Sequence, residues 1–387
     1  MKAVQFLIFF SIFFSVYFLT NYYIYIRGLQ AFTFSPLLKM IYVKLFIILA
    51  LSYIAGRILE HITVCRIADF LTWIGSWWLA LMVYFLIVVV IIDFIRITDH
   101  FLPWLPDVIR INPASTNFIL GMVSIGIVFI IVVAGRINAV NPHIREISID
   151  LPKKVNDGKN ITIAMTSDIH LGAVVGQKRL RDMIRMIDAI NPDLVLFAGD
   201  VIDEDPGSLI QKDLGECLKE LKAPMGVYAI TGNHEYIGGV DTAVHYLEEH
   251  NITVLRDSVV TLSNGLVLIG REDIDSSRFN GSRRQNISEL LKNIDPSVPT
   301  ILLDHQPSNL DDAIDNNIDL QLSGHTHHGQ LWPFNYITSK MFRVSYGYEK
   351  IQNTNVYVSC GFGTWGPPIR TTARPELVKI NLKFDSK

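Results

Sequence analysis

The pattern of apolar positions divides this chain into two parts. Up to about residue 140, long uninterrupted apolar runs alternate with short polar segments. Runs of this length suit helices that cross ~30 Å of hydrocarbon. From residue 144 onward, short apolar runs alternate with stretches of helical periodicity, which is typical of layered α/β domains. The pattern therefore predicts a transmembrane region over 1–140 and a folded α/β domain over 144–387.

Four apolar runs in the first part predict a bundle of about four transmembrane helices. They lie at Val4–Ile26, Met40–Ala55, Leu71–Ile92 and Asn117–Ala134. A cleaved signal peptide is the alternative for the first run, but such peptides have apolar cores of only about 7–15 residues and a small-residue cleavage site. The first run is longer and ends in an aromatic belt, so we expect a retained helix.

The distribution of positive charge bears on the orientation of the chain. Four spans would place both termini on the same side of the membrane. More Lys and Arg lie in the segments on that side than on the other, and the positive-inside rule assigns such segments to the cytoplasm. We therefore predict an integral multi-pass protein of the cell membrane whose folded domain is cytoplasmic.

In the second part, five predicted strands are each followed by a polar residue that can bind a metal. The strands are Ile161–Thr166, Asp193–Ala198, Val227–Thr231, Thr300–Leu303 and Asp319–Leu322. In open α/β sheets, ligands bind beyond the carboxyl ends of the strands. We therefore expect the residues after these five strands to form one site.

The remaining elements predict a mixed two-sheet core with flanking helices. Helical periodicity covers Gln177–Ile190 and Leu209–Leu221. Five further strands are expected to be more antiparallel, at Ile252–Leu255, Val259–Leu262, Leu266–Ile269, Asn355–Ser359 and Leu377–Leu382.

The residues that follow the first five strands form short motifs rich in carboxylate and imidazole. The motifs are Asp168-Ile169-His170, Gly199-Asp200, Gly232-Asn233-His234-Glu235, His305 and Gly324-His325-Thr326-His327. Divalent ions of the Mn, Fe or Zn type accept both kinds of ligand. A carboxylate can bridge two such ions ~3.5–4 Å apart, and the pair polarises a phosphoryl group and supplies hydroxide near neutral pH. The motifs therefore predict a two-metal site suited to phosphoryl chemistry.

In this order, the motifs resemble those of the calcineurin-like metallophosphoesterase superfamily. The second motif is complete as Gly199-Asp200-Val201-Ile202-Asp203, and the resemblance spans about residues 160–382. It implies a four-layer α/β/β/α sandwich and a metal-dependent phosphoric ester hydrolase. It also implies two divalent metal ions, and these ligands do not discriminate among Mn, Fe, Zn and Ni.

The resemblance further implies a role for each residue of the site. Seven residues would be metal ligands, in two sets that share Asp200 as the bridge. The sets are Asp168, His170 and His327 for one metal and Asn233, His305 and His325 for the other. His234 would be the general acid that protonates the leaving oxygen. Asp203 and Glu235 would be carboxylates that fix the tautomer and orientation of histidine rings.

Three segments also resemble the membrane-associated bacterial branch that is related to UDP-2,3-diacylglucosamine pyrophosphatases. The segments are Leu303–Pro307, Ser323–Gln330 and Gly361–Arg370. His328 departs from that branch, in which a glycine usually follows the second histidine. Trp365 and Arg370 are candidate pocket residues, with Arg370 contacting phosphate. Packing of the C-terminal strand is the alternative for both.

The preferred hypothesis is a membrane-anchored phosphoesterase whose partners are the lipid bilayer and a phosphate-ester substrate, with a lipid-linked ester as one option. A non-catalytic membrane receptor or scaffold that retains the fold is the first alternative. A transporter-like membrane domain is the second, and Asp93 is the only acid in a strong span to support it. Residues 144–387 carry 25 Lys and Arg against 32 Asp and Glu, so no nucleic-acid partner is expected. No obligate protein partner is predicted.

Overall fold

The computed structural model describes residues 2–204, 206–279, 281 and 283–385. The chain splits into two compact units. One consists of Met1–Gly135 with Gly366–Pro368, and the other of Arg136–Trp365 with Ile369–Lys387. The described part of the first unit is helical, and that of the second contains two β-sheets.

The helices of the first unit follow the predicted apolar runs. They are α1 (Lys2–Ala31), α2 (Pro36–Ile62), α3 (Arg66–Phe101), α4 (Asp107–Ile111) and α5 (Pro113–Val140). Among the described residues, three of them, α2, α3 and α5, are long and apolar enough to cross a membrane. The remaining predicted span lies in α1. The side chains of several residues at the start of this helix are not described, so this span stays a prediction.

Helices α1, α2 and α3 pack through a shared apolar cluster formed by Ile24, Phe46, Ala50 and Trp78. The indole Nε1 of Trp78 donates a hydrogen bond to Asn21 Oδ1 at 2.9 Å. Lipid tails offer polar groups no partner, so a bonded polar pair inside the helices fixes the position of α1 against α3.

The described strands of the second unit form two six-stranded sheets. Sheet I has the order β1 (His143–Leu151), β12 (Glu376–Phe384), β2 (Ile161–Thr166), β3 (Leu194–Ala198), β4 (Val227–Ile230), β5 (Thr253–Leu255). Sheet II has the order β10 (Gly347–Ile351), β11 (Thr354–Val358), β9 (Leu320–Ser323), β8 (Thr300–Leu303), β7 (Val267–Gly270), β6 (Ser258–Thr261). Strands β2 to β5 are mutually parallel in sheet I, as are β7, β8, β9 and β11 in sheet II. The strands that precede the motifs are β2, β3 and β4 in sheet I and β8 and β9 in sheet II. Within each sheet, these strands therefore have their carboxyl ends at one edge.

Alternating side chains place each sheet between two layers. Ile163 and Met165 of β2 join residues of both sheets in the core between them, whereas Ala164 faces α6. This period of two is the ordinary geometry of a strand that is buried on both faces. On the outer face of sheet II, Ile269 packs in a cluster with Ile287. The predicted α/β/β/α sandwich is confirmed.

The helices of the second unit are mostly short. They are α6 (Gln177–Ile190), α7 (Pro206–Lys212), α8 (Asn233–Gly238), α9 (Val240–Glu249), α10 (Ser276–Phe279), α11 (Ile287–Leu290), α12 (Asp311–Asp315) and α13 (Asn335–Met341). Helix α6 has the predicted bounds. The single helix predicted over Leu209–Leu221 is wrong, because Asp213 takes a φ of 43° and separates α7 from a 3-10 turn at Glu216–Glu220.

Some strand directions also differ from the expectation. Strand β5 was expected to be antiparallel but pairs in parallel with β4. Strands β7, β11 and β12 each have one parallel and one antiparallel neighbour. Direction depends on how the chain returns to the sheet, which a short apolar run does not encode.

Candidate metal centre

The motif residues follow the carboxyl ends of neighbouring strands and meet at one site. Asp168 and His170 follow β2, Asp200 follows β3, and Asn233 begins α8 after β4. His305 follows β8, and His325 and His327 follow β9 in sheet II. Both sheets contribute, so the site lies where their carboxyl edges come together.

The first predicted ligand set, Asp168, His170 and His327, is a buried cluster. The Nε2 atoms of His170 and His327 are 3.0 Å apart, and His327 Nε2 lies 3.4 Å from Asp168 Oδ1. One ligand atom from each residue lies within 4.8 Å of the others. This spacing fits three ligands around one ion.

The second predicted set forms beside Asp200. Asp200 Oδ2 lies 3.2 Å from His305 Nε2, and His325 Nδ1 lies 2.9 Å from Asn233 Oδ1. The same Asp200 oxygen is 3.9 Å from His170 Nε2 in the first set. One carboxylate therefore faces both sets, as a bridging ligand must.

The contacts of His305 show that the second set attracts positive charge. Its Nδ1 lies 2.8 Å from the carbonyl oxygen of Ala198, which fixes the ring. Its buried Nε2 has no hydrogen-bond partner in the described part of the chain and points toward Asp200. Burial lowers the pKa of His305, but the Asp200 carboxylate outweighs burial and raises this pKa well above the ordinary value. The raised pKa means that the His305 ring holds a proton beside Asp200. A divalent ion can take the place of this proton, so the donor set fits a metal.

Two further ligand histidines, His325 and His327, are held neutral. Burial and the charge of His305 lower the pKa of His325 to about 3. Burial and the neighbouring His170 lower the pKa of His327 well below its ordinary value. Metals bind neutral imidazole, so both rings are in the form required of a ligand near pH 7.

The backbone at the site is strained. Five of the seven predicted ligands have a left-handed backbone, which is uncommon for residues other than glycine. They are Asp168 (φ 51°), His170 (φ 51°), Asp200 (φ 52°), His325 (φ 71°) and His327 (φ 46°). Strain of this kind costs ~1–3 kcal/mol per residue and is concentrated at functional sites.

Two motif glycines make room for the carboxylates. A Cβ at Gly232 would lie 2.2 Å from Asp200 Oδ1, and one at Gly324 would lie 2.4 Å from Asp168 Oδ2. Both distances are far below van der Waals contact. The glycines are therefore required by close approach to the ligand carboxylates.

His234 and Asp203 form a hydrogen-bonded pair beside the ligands. Asp203 Oδ1 lies 3.2 Å from His234 Nδ1 and 3.6 Å from His170 Nδ1. Asp203 thus contacts two histidine rings, as predicted of an orienting carboxylate. Burial lowers the pKa of His234, but Asp200, Asp203 and the neighbouring Glu204 outweigh it and raise this pKa to about 9. His234 is therefore an imidazolium near pH 7 and can donate a proton.

Glu235 was predicted to orient a histidine ring, but its hydrogen bonds are made with the backbone. Its carboxylate accepts hydrogen bonds from the backbone amides of Asp200 (3.1 Å), Ile202 (2.9 Å) and Gly232 (2.8 Å). These bonds join the loop after β3 to the start of α8. Glu235 therefore positions the backbone that carries Asp200 and His234.

We expect Glu235→Ala to destabilise the fold. The change leaves three buried amides without their acceptor, and the loss is expected to be about 3 kcal/mol or more. In a domain of this size, that corresponds to a decrease of roughly 6–12 °C in Tm. Thermal unfolding of the full chain in detergent with chelator would measure the change, and Glu235→Gln, which keeps one acceptor oxygen, should lose less. Equal Tm values for Glu235→Ala and the unaltered chain would contradict this role.

Trp365 and Arg370 occupy different environments. Trp365 is 48% exposed, and its ring centroid lies 5.6 Å from that of His234, edge to face. Arg370 is fully buried, donates to the carbonyl oxygen of Gly363 and lies 3.1 Å from His327 Nδ1. The position of Trp365 suits a pocket wall. That of Arg370 favours the packing alternative over direct contact with phosphate.

Two residues at the site were not singled out from the sequence. Gln330 exchanges hydrogen bonds with the backbone of Trp365, both at 3.0 Å, and Glu204 Oε1 lies 3.7 Å from His234 Nδ1. No motif spacing identifies either residue. The His328 ring packs against that of Tyr346, tilted by 35° with centroids 5.1 Å apart, and His328 belongs to none of the candidate metal groups among the described residues.

The comparisons with known proteins agree with this geometry. Residues 161–329 match the family described as calcineurin-like phosphoesterase. An uncharacterized metallophosphoesterase of Aquifex aeolicus is 35% identical over 234 residues, which cover 60% of this chain and 88% of the relative. One of Campylobacter jejuni is 28% identical, and the match covers 98% of this chain and 99% of the relative. A transmembrane protein with metallophosphoesterase domain of Danio rerio is 31% identical, and the match covers 70% of this chain and 64% of the relative.

Together with these matches, the fold and the clustered ligands define a phosphoester hydrolase. The chain belongs to the calcineurin-like metallophosphoesterase family. Members of this family typically bind divalent metals, and the two ligand sets are the candidate sites for them. The three apolar helices and the transmembrane relative indicate a membrane protein.

Proposed function

We propose that this protein is a membrane-anchored phosphoesterase that uses two divalent metal ions bridged by Asp200. The observation that carries the proposal is the position of Asp200 Oδ2, 3.2 Å from His305 in one ligand set and 3.9 Å from His170 in the other. Mn, Fe, Zn and Ni all suit the seven ligands. Bound there, the ions would polarise the phosphoryl group and supply hydroxide near neutral pH.

The remaining residues would act on the leaving group and on the shape of the site. Asp203 holds His234 at Nδ1, and this leaves Nε2 to deliver the proton to the leaving oxygen. Trp365, half exposed beside the His234 ring, would form a wall against the substrate. Glu235 and the two motif glycines would keep the carboxylates in place without touching the substrate.

The substrate we propose is a phosphodiester, phosphomonoester or pyrophosphate at a bilayer surface, including a lipid-linked one. The apolar helices support this placement. So does an exposed apolar surface at and before α13, which includes Trp332, Phe334, Tyr336, Ile337 and Met341. Kinship with UDP-2,3-diacylglucosamine pyrophosphatases is part of this proposal and would favour a lipid-linked pyrophosphate.

The substrate class can be tested on the purified full chain with Mn²⁺. We expect hydrolysis of bis-p-nitrophenyl phosphate or p-nitrophenyl phosphate, and phosphate release from a total lipid extract, with both abolished by chelator. Turnover that is unaffected by chelator would contradict the metal-dependent assignment. Lack of turnover on both generic esters and the lipid extract would favour the alternative of a non-catalytic receptor or scaffold. Retention of Asp200, Asn233 and His234 argues against that alternative.

We also propose four spans, with the catalytic domain on the cytoplasmic side. The positive-inside rule supports this orientation. A cysteine introduced at Asp385 should react with a membrane-impermeant maleimide only after cells are permeabilised. Labelling of intact cells would place the domain outside.

A further inference from the structure

Three charged residues meet within the apolar helices of the first unit. Arg27 Nη2 lies 2.5 Å from Asp93 Oδ2, and Arg96 Nη1 lies 3.8 Å from Asp93 Oδ1. Asp93 is buried, and the one carboxylate balances only one of the two guanidinium groups. Charges among membrane helices are costly, and their presence is by default a sign of function.

The charged cluster lies near one end of these helices. Arg27 is four residues before the end of α1, and Asn117, which accepts a hydrogen bond from Arg96 at 2.6 Å, is four residues after the start of α5. Helix α3 continues for eight residues beyond Asp93. The positive charge is therefore close to the level at which lipid headgroups begin.

Two cavities share the three charged residues. One, of ≈430 Å³, is bounded by α1, α2, α3 and α5, and its apolar walls include Phe46, Phe85, Leu120 and Phe129. The other, of ≈400 Å³, is lined by the charged residues together with Ile97, His100 and Phe101. Along α3, the apolar cavity extends from Asp93 to Trp78, about 22 Å at ~1.5 Å per residue. An elongated apolar space with a cationic end suits a molecule with a tail and an anionic head.

One carboxylate oxygen of Asp93 accepts no hydrogen bond from the described residues, and this adds a second requirement for the anionic head of the bound molecule. Asp93 Oδ1 is buried, lies 3.8 Å from Arg96 Nη1 and accepts no hydrogen bond in the described part of the chain, whereas Oδ2 accepts one from the Tyr23 hydroxyl. An ionised carboxylate only accepts hydrogen bonds, so Oδ1 repels a phosphate oxygen and suits a hydroxyl. The guanidinium groups, by contrast, bind phosphate oxygens.

We propose that these helices bind one anionic phospholipid whose headgroup carries a hydroxyl. Its phosphate would lie between Arg27 and Arg96, a headgroup hydroxyl would donate to Asp93 Oδ1, and one acyl chain would occupy the apolar cavity. Basic pockets between membrane helices on the cytoplasmic side are known to bind anionic headgroups, and we infer the same charge pairing here, although the proposed four-span topology places this cluster at the opposite side of the membrane. The site is independent of the phosphoesterase chemistry and binds a lipid whether or not that lipid is hydrolysed.

The test uses the full chain, purified in mild detergent and incubated with equimolar phosphatidylglycerol, phosphatidic acid and phosphatidylcholine. Lipid retained after gel filtration is then quantified by mass spectrometry. We expect about one phosphatidylglycerol per chain, with roughly tenfold preference over phosphatidylcholine because of the two arginines. We also expect preference over phosphatidic acid, which lacks the hydroxyl-bearing headgroup. Equal retention of all three lipids would overturn the proposal.

Variants separate lipid binding from helix packing. Arg27→Gln with Arg96→Gln should reduce phosphatidylglycerol retention roughly tenfold or more. Ser124→Phe, which fills the apolar cavity and keeps both arginines, should reduce retention of any lipid. Arg110→Gln is the matched control, because Arg110 pairs with Asp99 and lines neither cavity. Undiminished retention in the double variant would show that the charges serve packing alone. Undiminished retention in a monodisperse Ser124→Phe protein would show that no acyl chain occupies the cavity, and either result would overturn the proposal.

Discussion

Replacing Asp200 by Asn is expected to reduce kcat/KM by roughly 10³-fold or more, beyond the 10–100-fold typical of residues that only support a ligand. Asp200 is the residue whose carboxylate oxygen faces both ligand sets. An amide is neutral and has only one oxygen, so it can bind one metal but cannot bridge two as a carboxylate does, and the variant should lose at least one ion. The measurement is hydrolysis of bis-p-nitrophenyl phosphate over a range of Mn²⁺ concentrations.

The matched control for this change is Asp150→Asn, which alters an exposed aspartate on β1. It should leave kcat/KM unchanged, because Asp150 lies outside the candidate metal groups found in the described residues. If Asp200→Asn retained full activity at every Mn²⁺ concentration, Asp200 could not be the bridge.

Replacing His234 by Gln is expected to have an effect that depends on the leaving group. General acids contribute typically 10²–10⁴-fold, so an alkyl ester should lose roughly that factor in kcat. A p-nitrophenyl ester should lose much less, because p-nitrophenolate leaves without a proton. The comparison requires both esters to be assayed under identical metal conditions. Equal losses for the two esters would assign His234 to binding or folding instead of proton donation.

The pH dependence gives a second readout for His234. Its carboxylate neighbours raise the pKa to about 9, and only the imidazolium can donate a proton. Activity on the alkyl ester should therefore be present below this pKa and be lost as pH rises through it, and bound cations would move the loss to lower pH. His234→Gln should remove this alkaline decline. His245→Gln, at an exposed position of α9, is the control and should keep it.

The sequence predicted those parts of the molecule that depend on local pattern. Strands β2, β3 and β8 are short runs rich in apolar residues, and the rule that parallel strands present ligands at their carboxyl ends brought Asp168, Asp200 and His305 together. Strand β1 was missed, because it alternates between buried and exposed positions along most of its length and contains no apolar run.

The supporting contacts of the site could not be predicted in this way. Glu235 follows the ligand motif directly, but that position does not reveal that its carboxylate accepts hydrogen bonds from backbone amides of two loops. The sequence left pocket lining and strand packing open for Arg370, and only the structure shows that it is buried against Gly363 and His327. Contacts of this kind depend on which loops meet, and they are fixed only by the tertiary fold.

The most direct test of the two-metal centre is the number of metal ions bound per chain in the active protein. The full chain would be stripped with chelator, titrated with Mn²⁺, freed of unbound metal and analysed by inductively coupled plasma mass spectrometry, with activity followed in parallel. Two ligand sets sharing Asp200 predict two ions per chain, with full activity only when the second is bound, and at most one in Asp200→Asn. Full activity with one ion or none per chain would contradict the two-metal account.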